Sequence, residues 1–99
     1  MTALGVTLLV QRDCLGGERV VELQLPRPVR LEDLDVVEGV VHREVLTSLP
    51  RPFFRLDVPG RFLLTGIVSD PRLRFTVRMA ARERAVELAL ETAQRMVAT

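Results

Sequence analysis

FFRLDVPGRFLLTGIVSDPRLRFTVRM, residues 53–79 of the chain, is the stretch from which the fold can be worked out. Apolar and polar side chains alternate along three runs, which are separated by Pro59-Gly60 and by Asp70-Pro71. Such alternation is typical of half-buried strands, and proline followed by glycine is typical of a tight turn. All aromatic residues of the chain lie in this stretch. We therefore predict a three-stranded antiparallel sheet that holds the best-packed part of the core.

The first turn sets the pairing of the first two strands. A two-residue loop would mix charged and apolar side chains on one face, whereas a three-residue loop pairs apolar residues only. The predicted pairs are Phe54 with Gly66, Leu56 with Leu64, and Val58 with Phe62.

The second turn, at residues 69–72, suits a four-residue loop built on a type I turn. Its predicted pairs are Val68 with Leu73, Gly66 with Phe75, Leu64 with Val77, and Phe62 with Met79. Both turns then bury the same face, on which the glycine leaves room for a phenyl ring. The side chains predicted to point inward together are Phe54, Phe62, Phe75 and Met79. Leu63 and Ile67 should point the other way.

The remaining elements are predicted from periodicity. Residues 6–11 and 19–25 alternate like the two strands of a hairpin, joined by a loop with paired glycines. Whether this hairpin joins the later sheet is left open. Residues 31–46 carry apolar side chains at helical spacing and acidic residues in the first turns, which favours a helix, with a strand over 36–41 as the alternative. A second helix, with an apolar arc wider than one sheet face requires, is predicted over residues 81–97.

The predicted fold class is α+β: a single two-layer domain over residues 1–99, with an antiparallel sheet and two helices packed on one face. The order β-β-α-β-β-β-α resembles the roadblock/longin-type arrangement, and a ferredoxin-like sandwich is the nearest competitor. The resemblance rests on element order alone and implies a fold without a function.

Composition excludes several classes of protein. All fourteen cationic residues are arginine and the net charge is +1, so no strong field attracts nucleic acid. No apolar run approaches the ~20 residues that span a bilayer, so we expect no membrane partner. No secretory signal is visible, and the single cysteine fits a cytoplasmic protein.

The strongest functional hypothesis is self-association through the outer face of the predicted sheet. Apolar side chains at its centre and arginines at its rim are typical of a protein interface. The predicted interface residues are Arg55, Leu63, Thr65, Ile67, Arg74, Thr76 and Arg78. With the wide apolar arc of the last helix, they predict an accessory or regulatory module that binds itself and then a larger protein. The hairpin lying over this face is the alternative interpretation.

Nucleic-acid binding is a second hypothesis. Arg72, Arg74 and Arg78 form a comb along one strand, and arginine grips phosphates well. Sheet platforms for single strands need exposed aromatic rings, however, and the predicted register buries them.

Chemistry at individual residues is a third hypothesis. Cys14 at the hairpin tip could act as a nucleophile with His42, the only histidine, although an incidental loop cysteine explains it as well. Asp35, Glu38 and His42 would share one face of the predicted helix at metal-ligand spacing, but an acidic surface stripe gives the same pattern. We therefore predict no catalytic residue, metal or cofactor, and a glycine-rich phosphate loop is absent.

Overall fold

Seven strands form one antiparallel sheet in the computed structural model, which describes residues 2–3 and 5–98. The strands are β1 (Thr2–Ala3), β2 (Val6–Asp13), β3 (Arg19–Gln24), β4 (His42–Leu46), β5 (Phe53–Val58), β6 (Phe62–Ile67) and β7 (Arg72–Val77). Their order across the sheet is β1-β2-β3-β7-β6-β5-β4. Six of them have five to eight residues, and β1 is a two-residue addition at one edge.

The second layer consists of helix α1 (Ala85–Val97), preceded by a 3-10 helix over Met79–Arg84, and of a 3-10 helix over Leu31–Val36. Helix α1 contacts β2, β3 and the first 3-10 helix. It buries Ala85, Leu88, Ala89, Leu90, Thr92, Ala93 and Met96. The molecule is therefore an α+β fold with its helical layer on one face of the sheet.

The predicted register of β5 and β6 is confirmed. Phe54 pairs with Gly66, Leu56 with Leu64, and Val58 with Phe62. The turn between the strands is closed by the Arg61 amide, which donates to the Val58 carbonyl at 3.1 Å, and Gly60 adopts φ +74°. Proline and glycine at this turn therefore set which face of the sheet is buried.

The predicted register of β6 and β7 is wrong by two residues. Gly66 pairs with Leu73, Leu64 with Phe75, and Phe62 with Val77. The loop lies one residue earlier than predicted because the amides of Val68 and Ser69 are bound by the carbonyls of Pro52 and Val29.

A shift of two residues leaves every side chain on its predicted face, because the side-chain period of a strand is two. Phe54, Phe62 and Phe75 are accordingly buried, and the rings of Phe62 and Phe75 meet edge to face at 5.1 Å. Met79 is the exception: it follows the strand, lies in the 3-10 helix and is 62% exposed.

The prediction of a helix over residues 31–46 is wrong, and so is the alternative strand over 36–41. The 3-10 helix ends at Val36, Gly39 adopts φ +79°, and the strand of this region is β4 at residues 42–46. Valine loses side-chain freedom in a helix, and a glycine in the left-handed region breaks one. The resemblances to roadblock/longin and ferredoxin-like folds depended on this helix and find no support.

The N-terminal hairpin is confirmed, and it joins the sheet. β3 pairs along its whole length with β7, from Arg19 opposite Val77 to Gln24 opposite Arg72. The glycines of its loop, Gly16 and Gly17, both have positive φ. The hairpin therefore extends the sheet in its own plane.

The last helix begins at Ala85, after a 3-10 helix, and not at the predicted Ala81.

Within the described part of the chain, no helix is both long enough and apolar enough to cross a membrane.

Candidate functional site: the outer face of the sheet

The outer face is the side of the sheet that points away from α1. Because side chains alternate along each strand, the observed pairings place its residues in rows that run across the strands. The central row is Glu44, Arg55, Thr65, Arg74 and Glu22. The apolar row is Leu46, Phe53 and Ile67. A third row contains His42, Asp57, Leu63, Thr76 and Val20.

All seven sequence-predicted interface residues belong to this face or its rim. Leu63, Thr65, Ile67 and Thr76 are half-buried, whereas Arg55 and Arg74 are exposed. Arg78 follows the end of β7, beside the third row. A shallow depression of about 360 Å³ lies here, with Phe53, Thr65, Ile67 and Arg74 among its lining residues.

The helical layer and the hairpin leave most of this face accessible, although Val20 on β3 is buried. Helix α1 packs on the opposite side against β2 and β3, and the first 3-10 helix contacts α1 there. The hairpin, which could have covered the outer face, instead continues the sheet sideways through β3. Half-buried apolar side chains in the middle of the sheet thus face solvent.

Some charges around this face are neutralised within the molecule. Arg78 donates to Glu18 at 3.0 Å and to Asp57 at 3.1 Å, and both contacts raise the pKa of the guanidinium. Side-chain and backbone donors of Arg72 bind the Asp70 carboxylate and hold the pKa of that carboxyl below its usual value. Of the predicted arginine comb, only Arg74 therefore lacks an ion pair within the described chain.

Three charges of the central row have no such neutralisation. Among residues 5–98, no ion pair or side-chain hydrogen bond reaches Glu44, Arg55 or Arg74. Glu44 and Arg55 lie directly opposite each other on β4 and β5, yet their charged atoms do not come into ion-pair distance. The row therefore presents one free carboxylate and two free guanidinium groups to solvent.

The last helix contributes little to an external surface. Of its predicted apolar line, Ala89, Leu90 and Ala93 are buried in the core, and Val86 and Val97 are half-buried. A groove of about 550 Å³ beside the helix has Val86 and Leu90 along it, with Glu87 and Glu91 at its rim. The width of the apolar arc is explained by packing on the sheet on one side and on the first 3-10 helix on the other.

The structure keeps Cys14 and His42 apart. Cys14 lies in the loop between β2 and β3, whereas His42 begins β4 at the far edge of the sheet. β3 and β4 are four strand spacings apart, or about 19 Å. The two side chains do not form a nucleophile and base pair.

The proposed metal ligands are also not assembled, because the helix that would align them does not form. Asp35 pairs with Arg43 at 2.7 Å, and Glu38 pairs with Arg95 at 3.5 Å. Among the residues that the structure describes, no three histidine, cysteine or carboxylate side chains come together as a ligand set.

Sequence reasoning missed several members of the outer face, among them Glu44 and Phe53. The alternation that buries Phe54 also points Phe53 outward, so a signal for Phe53 was present in the sequence. Glu44 could be placed only with β4, which the helical spacing of residues 31–46 concealed.

Comparison of the chain with protein-family models, with curated proteins and with solved structures found no match.

Proposed function

We propose that the protein is a small non-catalytic accessory or regulatory module of the cytoplasm. It associates with a second copy of itself through the outer face of the sheet, and a larger protein is the further partner. The observation that carries this proposal is the accessible outer face, on which half-buried Leu63, Ile67 and Phe53 lie beside arginines without an ion pair. Arginine next to apolar residues is typical of many protein interfaces.

The size of the face supports a weak dimer. Six strands about 4.8 Å apart and about 20 Å long present roughly 500 Å² per copy. Two copies that overlap over the whole face would bury about 1,000 Å², at the lower end of specific interfaces, and a partial overlap buries less. A reversible, concentration-dependent dimer suits a regulatory role better than a permanent one.

The nucleic-acid alternative has less support. Arg72 and Arg78 are engaged by carboxylates, and the rings of Phe54, Phe62 and Phe75 are buried. Stacking platforms for single strands need such rings on their surface.

Substitution of Ile67 by aspartate tests the proposal. A carboxylate at the apolar row would have to be buried without a partner in the dimer, so Ile67→Asp is expected to sediment as a monomer where the wild type forms dimers. Sedimentation equilibrium over a wide concentration range is the measurement, with circular dichroism to verify the fold.

Leu15→Asp is the matched control. Leu15 lies at the tip of the β2–β3 loop and is fully exposed, so the same change there should leave the dimer intact. A wild-type protein that stays monomeric at the highest concentration would refute the proposed function.

A further inference from the structure

We propose that two copies pack face to face about a twofold axis that runs along the strands between β5 and β6. In this dimer Glu44 lies against the partner's Arg74, and Phe53 lies against the partner's Ile67. The inference rests on the proposed function and specifies its geometry.

The first argument is the position of the free charges. Glu44, Arg55 and Arg74 lie in one row on β4, β5 and β7, without an ion pair inside the described chain. Glu44 and Arg74 are three strand spacings apart, or about 14 Å, so they cannot bind each other within one molecule. A second copy can supply the missing partner to both.

The second argument is the effect of symmetry on the central row. An axis along β6 would place Arg55 against the partner's Arg74. An axis that runs across the strands along the central row would place each charged residue against the same residue of the partner. Like charges in an interface cost several kcal/mol. An axis between β5 and β6 exchanges β4 with β7, so it places Glu44 against the partner's Arg74 and Arg55 against the partner's Thr65.

The third argument is the apolar row, of which the same axis joins two members. Exchange of β5 with β6 brings Phe53 onto the partner's Ile67, beside the axis and at one end of the strands. An axis between β6 and β7 would instead place Arg55 against the partner's Glu22, a residue that Arg12 holds at 3.6 Å in its own chain. An axis across the strands between the central and third rows would place Arg55 against the partner's Asp57, a carboxylate that Arg78 already binds in its own chain.

The known geometry of stacked sheets allows these contacts. Packed sheets lie about 10 Å apart with their strands within about 30° of each other. Phe53 and Ile67 lie half a strand spacing from the axis, so they meet at any such angle. Glu44 and Arg74 lie about 7 Å from the axis, so an angle between the strands of the two sheets displaces one from the other. The long arginine side chain spans this displacement.

Charge exchange between two singly substituted chains tests this axis. Glu44→Arg would oppose two arginines, and Arg74→Glu would oppose two glutamates, twice in each homodimer. Each variant alone is therefore expected to raise the dimer dissociation constant about tenfold. An equimolar mixture of the two variants should regain wild-type affinity, because in the heterodimer both contacts again join opposite charges.

Sedimentation equilibrium of each variant and of the mixture is the measurement, and Glu83→Arg on the helical side is the control. Wild-type affinity in the mixture but not in the single variants supports the axis. If the wild type dimerises but the single variants dimerise equally well, or if mixing them does not restore the affinity, the proposed axis is wrong. The proposed function is then unaffected. A monomeric wild type refutes both.

Discussion

At the scale of single residues, Asp33 is the most consequential polar group of the core. Its side chain is fully buried and accepts hydrogen bonds from Arg27 at 2.6 and 2.9 Å and from the Arg30 amide at 2.8 Å. Arg27 also donates to the Met96 carbonyl at 2.9 Å, near the end of α1. One carboxylate therefore ties the connection between β3 and β4 to the last helix.

Acid is expected to weaken the fold through this carboxylate. Burial acts to raise the pKa of Asp33, but the donors of Arg27 and Arg30 outweigh it and hold the pKa below its ordinary value. A carboxyl whose folded pKa is depressed stabilises the fold above its unfolded pKa of about 3.9, and this contribution is lost as the pH falls through the folded pKa. Asp33→Asn should therefore lower the free energy of unfolding by about 2 kcal/mol at pH 7, and by less below pH 4. Urea denaturation across this pH range measures the difference.

Asp35→Asn is the matched control, since Asp35 is exposed and its one ion pair among the described residues is with Arg43 at the surface. Asp13 and Asp70 also have lowered pKa values, so both proteins keep some acid dependence and only the difference between wild type and variant reports on Asp33. Equal effects of the two asparagine substitutions would contradict the role of the buried carboxylate.

At the scale of elements, Gly66 shows how β5, β6 and β7 fit together. A Cβ atom at this position would lie 2.7 Å from the Phe54 ring and 3.2 Å from the Arg72 carbonyl. The sequence indicated that this glycine accommodates a ring, but the register shift makes the ring that of Phe54 and not that of Phe75. The glycine therefore fixes the distance between the centre of β6 and the buried ring of β5.

Gly66→Ala is expected to destabilise the fold by about 1–3 kcal/mol through overpacking. Phe54→Leu removes the ring atoms that the new methyl group would meet, so Gly66→Ala should cost less in that background. A double-mutant cycle by urea denaturation measures this coupling, with Thr65→Ala on the outer face as the control. Additive costs of the two substitutions would show that the methyl group and the ring do not meet.

Element boundaries show which features the sequence could reveal. The hairpins around Gly16-Gly17 and Pro59-Gly60 were predictable because turn residues and alternation agree there. The loop before β7 was displaced by tertiary hydrogen bonds, in which Val68 and Ser69 donate to Pro52 and Val29. No local pattern carries that information. The prediction for residues 31–46 was wrong because the spacing of their apolar side chains fits a helix. Their valines, their glycine and the buried Asp33 instead favour a short turn and a strand.

At the scale of the whole molecule, the outer face could be predicted because it depends on side-chain alternation alone. The shift of β7 by two residues left Arg74 and Thr76 on the predicted side. The width of the face could not be predicted, since it follows from the pairing of β3 with β7 and from β4 at the far edge. The charge pattern of the central row includes Glu22 on β3 and Glu44 on β4. It can therefore be recognised only in the assembled sheet.

The position of β4 at an edge allows two modes of dimerisation to be distinguished. A face-to-face dimer leaves the outward backbone amides of β4 in solvent, whereas extension of the sheet through β4 would hydrogen-bond them. We expect hydrogen exchange of β4 amides to be equally fast in dilute and in concentrated protein, while β7 amides remain slow at both. Strong protection of β4 only at high concentration would indicate edge-to-edge pairing.

The order of the strands also has a consequence for how the chain reaches its native state. β5, β6 and β7 are consecutive hairpin neighbours and can zip together locally, but β3 docks on β7 across a long intervening stretch of chain. Closing this large loop costs the chain conformational entropy before the contacts between β3 and β7 can compensate for it. Until β3 pairs with it, β7 is an unpaired edge strand, and a strand of another molecule can hydrogen-bond to it. Crowded synthesis of this protein therefore carries its greatest risk of misassembly at the seam between β3 and β7.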